Sequence, residues 1–321
     1  MKILVAGGAG YVGSKLVPEL ISLGYEVDVV DLFWFGNNLP ANVNVAKKNI
    51  LDLEVEDLRG YDRVIFLAGL SNDPMAEYSP GKNFVYNAAI PAYLAYQSKM
   101  AGVKRFILAS SCSVYGYTVN ELYGEESPTT SKTPYGLSKL QAEAGCLQLA
   151  DENFSVIIFR KGTISGDSPR MRFDLVVNTL FKFAISTGEI TINNPSLWRP
   201  ILDIRDAIQG YVRAIQAHQS ISGIFNLASE NCTIGSIGDI VAERVEKRTG
   251  RKIKINLKNL EDYRNYKVSF EKAEQILGFK SRYSIDTIID SLFDKLDKYG
   301  DFSNPYFYNI EIFKKLDKGE I

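Results

Sequence analysis

The segment MKILVAGGAGYVGSKL, residues 1–16, decides the fold. Its apolar run Ile3–Val5 has the composition of a buried parallel strand. Glycines follow at positions 7, 10 and 13, and an apolar helical pattern begins among them at Val12. A strand, a glycine-rich turn and a helix in this order predict the first unit of a parallel α/β sheet.

The spacing of the three glycines predicts a site for a dinucleotide pyrophosphate between Gly7 and Gly13, with Tyr11 and Val12 in the same turn. Gly7 permits a sharp turn, Gly10 lets a phosphate approach the backbone, and Gly13 lets the helix pack closely on the strand. The free N–H groups of the helix N-terminus then face the anion. The alternative is a glycine-rich turn without a ligand.

A second predicted strand, Glu26–Val30, ends on Asp31, eighteen residues after Gly13. A carboxylate at this place accepts both hydroxyls of an adenosine ribose and repels a 2′-phosphate, which favours NAD over NADP. Further contacts with the cofactor are expected from residues that follow the third and fourth strands: Asn49, Ile50, Leu67, Ala68 and Gly69. The alternative for Asp31 is an ordinary loop aspartate.

Composition limits the class of protein. The chain has 321 residues and a net charge of −1, so its charge gives no reason to expect a nucleic acid partner. Its apolar stretches are strand-length, which predicts no membrane span, and Met1-Lys2-Ile3 enters the first strand directly, leaving no room for a signal peptide. Three scattered cysteines and one histidine, His218, favour a cytoplasmic protein without a metal site.

Strands and helices alternate along the chain, which predicts a Rossmann-type, doubly wound parallel sheet with a smaller C-terminal α/β substrate lobe. We assign residues 1–160 to the NAD-binding domain, with 201–230 returning to it, and residues 161–200 and 231–321 to the lobe. One long helix is expected over 80–101 and another over 134–151. Residues 162–172 are expected to form a polar loop, residues 198–200 to precede a helix, and residues 305–321 to end in a surface helix.

A tyrosine is followed four residues later by a lysine in four places: Tyr11/Lys15, Tyr78/Lys82, Tyr135/Lys139 and Tyr263/Lys267. Of these, Tyr135/Lys139 follows a strand that ends in hydroxyl groups, Ser110-Ser111-Cys112-Ser113, at the cofactor edge of the sheet. Tyr135 can take a proton from a sugar hydroxyl, and a lysine ammonium one turn away lowers the pKa of a phenol. Ser111 can orient the same oxygen. The polar loop at Ser71 lies at the same edge and can contact the substrate.

These motifs together resemble the extended short-chain dehydrogenase/reductases, the family of nucleotide-sugar epimerases and dehydratases. The matching segments are GGAGYVG, LAG at 67–69, SSCSVYG at 110–116, PYGLSK at 134–139 and RPILDIRD at 199–206. The resemblance implies catalysis by Ser111, Tyr135 and Lys139, with NAD held by the glycine loop, Asp31, Tyr135 and Lys139. It also implies a nucleotide-diphosphate sugar held by Asn178, Arg199 and Arg264, and a homodimer formed through the helices near 80–101 and 134–151.

Several positions depart from the family pattern. Cys112 and Ser113 stand where 4,6-dehydratases carry an Asp-Glu pair, which disfavours dehydration. Asn49 stands in place of an aspartate that often touches adenine, and Lys161 in place of a common proline. The segments FWFGN at 33–37, SNDP at 71–74 and SPRMRFDLVVN at 168–178 are similar to a branch that acts on surface-polysaccharide and capsule precursors, GDP-manno-heptose 4-dehydrogenases among them.

The expected function is NAD-dependent oxidation at C4 of a nucleotide-linked sugar, as a 4-dehydrogenase or a 4-epimerase, which share the first step. One alternative is an NADH-dependent 4-keto-sugar reductase, the same chemistry in reverse. Another is a non-catalytic NAD-binding sensor, because a fold alone does not secure activity.

Overall fold

A computed structural model describes residues 1–259, 262 and 264–321. The described strands are β1 (Lys2–Ala6), β2 (Glu26–Asp31), β3 (Asn44–Lys47), β4 (Arg63–Phe66), β5 (Arg105–Ser111), β6 (Tyr117–Tyr123), β7 (Ser155–Lys161), β8 (Thr163–Ser165), β9 (Glu189–Asn193), β10 (Trp198–Asp203), β11 (Gly223–Leu227), β12 (Glu230–Thr233), β13 (Lys254–Lys258) and β14 (Asn265–Val268). The central sheet has seven parallel strands in the order β11-β7-β5-β4-β1-β2-β3. The predicted α/β class is confirmed, and the first strand is followed directly by the glycine loop.

Helices cover both faces of the central sheet, and each face has its own apolar core. Leu16 and Ala207 pack on one face, whereas Leu94 and Ala142 pack on the other. Burial of both faces explains why the central strands are apolar almost throughout. The α-helices are α1 (Gly13–Ser22), α2 (Val55–Leu58), α3 (Asp73–Tyr78), α4 (Pro80–Phe84), α5 (Ile90–Met100), α6 (Pro134–Leu147), α7 (Val176–Ser186), α8 (Ile204–Gln216), α9 (Ile234–Thr249), α10 (Glu271–Leu277), α11 (Ile285–Phe293) and α12 (Asn309–Asp317).

The long helix expected over residues 80–101 is interrupted. A π-helical turn, Val85–Ala89, joins α4 to α5. Pro91, in the first turn of α5, has no N–H to donate to the preceding turn, and a π-turn is one way in which a helix absorbs such a defect. The turn also carries Asn87, whose Nδ2 donates to the Leu70 carbonyl at 2.8 Å beside the cavity described below.

The C-terminal half contains strands that the sequence pattern did not predict. The segment expected to be a polar loop contains β8, which pairs in parallel with β10, and β12 pairs with β10 in antiparallel. Two further pairs, β9 with β13 and β6 with β14, complete the small sheets. β8 and β12 have only three and four residues, so partners distant in sequence, rather than a local pattern, determine them.

The C-terminal helix α12 packs onto the rest of the molecule instead of only lying on its surface. Phe313 is 2% exposed and packs with Leu70 and Met75, and Asn309 reaches the cavity described below. Within the described part of the chain, no helix is long and apolar enough to cross a membrane. Tyr263, a member of one tyrosine-lysine pair considered above, lies outside the described residues.

Candidate active site

A cavity of about 580 Å³ lies at the carboxyl edge of the central sheet. The ends of β1, β2, β4, β5 and β7 all contribute to its wall, which is where open α/β sheets bind ligands. The structure brings most of the predicted site residues to this wall: Gly7, Gly10, Tyr11, Val12, Gly13, Asp31, Asn49, Ile50, Leu67, Ala68, Gly69, Ser71, Ser111, Tyr135, Arg199 and Arg264. Lys139 and Asn178 instead lie behind this wall, each bonded to groups of the protein.

The glycine loop has the shape that a dinucleotide pyrophosphate needs. Gly7 has a φ of +82°, and a Cβ there would lie 2.5 Å from the Ala68 nitrogen. A Cβ at Gly13 would lie 2.4 Å from the Gly8 oxygen, so α1 can start this close to the loop only with glycine. The first turn of α1 has no acidic residue and no side-chain cap that would compete with an anion, although the Ser14, Lys15 and Leu16 N–H groups already donate to carbonyls of the loop. These features fit the predicted NAD.

Asp31 is held in place by the backbone at the tip of β2. Its Oδ2 accepts from the Ala9 N–H at 2.9 Å, and its Oδ1 accepts from the Phe33 N–H at 2.7 Å. Burial raises the pKa of this carboxyl group, and the backbone donors partly offset that effect. The carboxylate therefore links β2 to the glycine loop, and it lines the cavity with lone pairs left to accept hydroxyl groups.

The predicted catalytic residues come together where β5 meets α6. Thr133 caps α6 by accepting from the Gly136 N–H at 3.2 Å, and Pro134 occupies the first turn. This start brings the Tyr135 hydroxyl near the Ser111 side chain, and both residues line the cavity. One turn later the Lys139 ammonium donates to the Ala109 carbonyl at 3.2 Å and lies 5.6 Å from the centre of the Tyr135 ring.

The electrostatics of Tyr135 differ from the expectation. Burial raises the pKa of its hydroxyl and the Asp73 carboxylate adds to this effect, whereas the nearby Ser111 hydroxyl and the Arg172 guanidinium oppose it. Burial also lowers the pKa of Lys139 to about 8, although Glu143 partly compensates. The protein groups alone therefore leave Tyr135 protonated, because desolvation of a phenolate outweighs the effect of the nearby hydroxyl and guanidinium.

The two residues after Ser111 have structural contacts. The Cys112 thiol is 1% exposed and donates to the Arg160 carbonyl at 3.2 Å. The Ser113 hydroxyl lies 3.3 Å from the Tyr266 hydroxyl and accepts from Ser111 at 3.1 Å. Neither residue supplies a carboxylic acid to the cavity.

Residues 166–174, here called the closing segment, bind to the start of α1. The Tyr11 hydroxyl donates to the Gly166 carbonyl at 2.6 Å, and the Lys15 ammonium donates to the Asp167 carbonyl at 2.8 Å. Asn178, predicted to contact a diphosphate, is fully buried behind this segment. Its side chain accepts from the Gly166 N–H at 3.0 Å and donates to the Arg172 carbonyl at 2.8 Å. These bonds give Asn178 a supporting position.

The predicted diphosphate ligands Arg199 and Arg264 line the cavity but are already paired with carboxylates. Arg199 donates to Asp262 at 2.9 Å, and Arg264 donates to both oxygens of Asp262 at 2.9 and 3.0 Å. Arg264 also donates to Asp73 at 2.8 Å. A diphosphate would therefore compete with two aspartates for these guanidinium groups.

Several cavity residues were not predicted as site residues. Arg170 stacks on the Phe35 ring at 3.8 Å, and Arg172 forms a bidentate pair with Asp174 at 2.8 and 2.9 Å. The repeated arginine in SPRMR was the available signal for these two. Asn309 donates to Ser71 at 2.7 Å and is bonded to Arg170, although 238 residues separate it from Ser71. No local pattern could have placed Asn309 here.

Comparison with known proteins gives the same family as the motifs. The model of the NAD dependent epimerase/dehydratase family matches residues 3–228. UDP-glucose 4-epimerase 2 of Arabidopsis thaliana is 27% identical over 96% of this chain and 97% of its own length. Among solved structures, the UDP-glucuronic acid 4-epimerase of Bacillus cereus, in complex with UDP-glucuronic acid and NAD, is similar with a TM-score of 0.81, at 23% identity over 93% of this chain and 99% of the other.

The dTDP-glucose 4,6-dehydratase DesIV of Streptomyces venezuelae, with NAD bound, is similar with a TM-score of 0.82, at 20% identity over 95% of this chain and 100% of the other. At these identities the solved structures establish the fold, whereas the family match rests on the sequence of about two thirds of the chain. The chain therefore belongs to the NAD-dependent epimerase/dehydratase family, and NAD is its cofactor.

Proposed function

We propose that the protein oxidises C4 of a nucleotide-linked sugar, with Tyr135 as the base, Ser111 as the group that orients the reacting hydroxyl, and Lys139 as the supporting cation. The observation that carries the proposal is that the Tyr135 and Ser111 side chains line one cavity with the glycine loop, and that the Ser111 hydroxyl is near enough to act on the Tyr135 hydroxyl. Two hydroxyl groups placed together in this way can bind one substrate oxygen from two sides.

The proton of the sugar hydroxyl passes to the Tyr135 oxygen as the carbon loses a hydride. NAD, when bound, supplies the acceptor for this hydride and a positive charge near the phenol. Ser111 holds the substrate oxygen by donating to it as the carbonyl forms. Because burial raises the pKa of Tyr135, its phenolate needs a nearby cation, and Lys139 stands one helical turn away.

Epimerisation and net oxidation share this first step and differ in whether the hydride returns to the same carbon. A 4-keto-sugar reductase would use the same residues in reverse. Dehydration is disfavoured by the contacts of Cys112 and Ser113, since neither offers the acid that water elimination requires. The position of the Tyr135 and Ser111 pair favours an enzyme over an NAD-binding sensor, which needs no base.

The nucleotide is proposed from the named relatives, which act on or bind UDP-sugars and dTDP-sugars. UDP-sugars are therefore the first substrates to test. GDP-heptose and a role in surface-polysaccharide or capsule precursor synthesis remain proposals carried by the sequence segments at 33–37, 71–74 and 168–178.

The test is a panel of UDP-, dTDP-, GDP- and CDP-sugars, GDP-manno-heptose included, followed by the absorbance of reduced nicotinamide and by product analysis. At least one nucleotide sugar should give a C4 epimer or a 4-keto product, and Tyr135→Phe should lose the reaction while still binding NAD. Near-normal turnover by Tyr135→Phe, or cofactor binding that responds to none of the sugars, would contradict the proposal.

We also propose a homodimer formed through α4, α5 and α6, as the family resemblance implies. Val85, in the π-turn between α4 and α5, is 45% exposed, and Leu137 of α6 is 39% exposed. Both lie next to a shallow apolar depression lined by Phe84, Ala88 and Gln141. Sedimentation velocity should give a dimer for the wild type and a monomer for the Val85→Glu/Leu137→Glu double variant. A wild-type monomer would refute this proposal.

A further inference from the structure

Lys161 is a cavity residue to which the expected mechanism gives no task. It is the last residue of β7 and stands in register with Ser111, the last residue of the neighbouring parallel strand β5. The preceding pair, Ser110 and Arg160, both bond to Glu143 of α6 on one face of the sheet. Side chains alternate along a strand, so Lys161 and Ser111 share the opposite face.

The amine of Lys161 lies among cations and neutral groups. The groups that face it are Lys139 from α6, Arg172 from the closing segment, Cys112 after β5 and the Tyr211 ring of α8, whose centre is 5.9 Å from the amine. In the described part of the chain, no carboxylate pairs with it. Burial, with Lys139 and Arg172, lowers the pKa of Lys161 to about 7.

A desolvated ammonium without a counter-ion costs stability, which makes such a lysine a candidate for a functional role. The cavity has carboxylates elsewhere: Asp174 pairs with Arg172, and Asp262 pairs with Arg199 and Arg264. The chain thus neutralises these arginines, whereas it leaves Lys161 unneutralised beside Ser111.

The place of Lys161 in the reaction follows from the proposed function, on which this inference rests. Hydride transfer requires the acceptor ring to lie within a few ångströms of the carbon whose oxygen Tyr135 and Ser111 hold. Lys161 flanks Ser111 at the usual spacing of paired strands, about 5 Å between backbones, and lines the same cavity as Ser111 and Tyr135. Its charge would therefore act on a nicotinamide ring bound in this cavity and on the reacting carbon beside it.

We propose that the Lys161 ammonium tunes the redox balance of the bound cofactor, favouring neutral NADH over positively charged NAD⁺. A positive charge beside the ring repels the oxidised form and leaves the reduced form unaffected. At a separation of about 6 Å and an effective dielectric constant of about 20, one charge changes the NADH to NAD⁺ preference by at least about tenfold. This bias drives the sugar oxidation forward and holds the reduced cofactor in the enzyme.

The experiment measures the ratio of bound NADH to bound NAD⁺ and does not measure turnover. Protein is equilibrated with equal concentrations of NAD⁺ and NADH, free nucleotide is removed, and the bound ratio is measured after extraction. At about pH 6 the wild type should hold NADH over NAD⁺ at a ratio at least about tenfold above that of Lys161→Met. Lys161→Arg, which keeps the charge, should retain the wild-type ratio. Lys252→Met, on the distant surface, serves as a control.

The wild type alone supplies a second readout. Raising the pH from about 6 to about 7.5 passes through the pKa of Lys161 and stays below that of Lys139, so the wild-type ratio should fall towards that of Lys161→Met, which stays flat over this range. In Lys161→Arg the ratio should also stay flat, which separates Lys161 from Tyr135. A Lys161→Met ratio within twofold of the wild type, or a wild-type ratio unchanged by pH, overturns the inference. Because no sugar is present, the absence of a Lys161 effect on the bound ratio would not contradict the proposed C4 oxidation. Conversely, normal turnover by Tyr135→Phe would not contradict the measured effect of Lys161 on the ratio.

Discussion

Asp31→Asn tests how the end of β2 selects the cofactor. The substitution keeps the size of the side chain and removes its charge. In the structure both carboxylate oxygens accept backbone N–H groups, from Ala9 at 2.9 Å and from Phe33 at 2.7 Å. An asparagine oxygen can replace one of these acceptors, but its NH₂ group faces the second N–H. We therefore expect NAD to bind about tenfold more weakly to the variant, since a neutral amide accepts the ribose hydroxyls more weakly than a carboxylate does.

The larger effect is on selectivity. A 2′-phosphate about 5 Å from a carboxylate is disfavoured by about 3 kcal/mol at an effective dielectric constant of about 20, a factor of about a hundred. Asp31→Asn removes this repulsion, so the preference for NAD over NADP should fall about a hundredfold. Because burial raises the pKa of Asp31, the wild-type preference should also fall as acid protonates the carboxylate, and it should be complete above that pKa.

Calorimetry, or the fluorescence of the cavity residue Trp34, gives the dissociation constants of NAD and NADP. These constants yield both the change in NAD affinity and the change in the NAD to NADP preference. Asp28→Asn is the matched control, because Asp28 lies on the same strand but pairs with Lys2 and Tyr61. It should leave the NAD to NADP preference unchanged. An Asp31→Asn protein that binds NAD and keeps a preference within threefold of the wild type would refute the assigned role.

Two further predictions concern stability and pH. Arg105 is fully buried and donates to Ser155 and to four carbonyls at the end of α8. Arg105→Met should therefore lower the free energy of unfolding, measured by urea denaturation, by about 3–5 kcal/mol. A loss below about 1 kcal/mol, compared with the exposed control Arg59→Met, would contradict this prediction. Lys139 carries its charge below its pKa of about 8 and loses it above, so the rate of sugar oxidation should decline above about pH 8. The Lys139→Met variant should oxidise the sugar slowly, and its rate should not decline above about pH 8. A wild-type rate that stays constant through this pH range would show that the ammonium is dispensable.

Local sequence was sufficient for the part of the site that the central sheet builds. The strand Ile3–Val5, the glycine spacing and Asp31 are consecutive features of one βαβ unit, so their positions in space follow from the chain itself. Ser111 and Tyr135 were also predictable, because the end of a parallel strand and the start of the next helix meet at one edge of the sheet. Pro134 and Thr133 made that helix start recognisable.

The remaining parts depend on contacts between distant segments. Asn309 contacts Ser71 and Arg170 because the C-terminal helix packs against the cavity. No sequence periodicity near residue 309 predicts that contact. The resemblance implied that Arg199 and Arg264 hold a diphosphate, but Asp262 pairs with both of them, and only the packing of side chains decides this pairing. The pKa of Tyr135 likewise depends on how deeply the hydroxyl is buried, and residue spacing does not report burial.

The most direct test of the proposed chemistry follows one hydrogen atom. A substrate from the nucleotide-sugar panel is prepared with deuterium at C4, mixed with the protein and NAD⁺ for a single turnover, and the extracted cofactor is analysed by mass spectrometry. Deuterium should appear in the reduced nicotinamide, and Tyr135→Phe, with NAD bound, should transfer none. Reduced cofactor without deuterium, or equal transfer by Tyr135→Phe, would contradict oxidation at C4 with Tyr135 as the base.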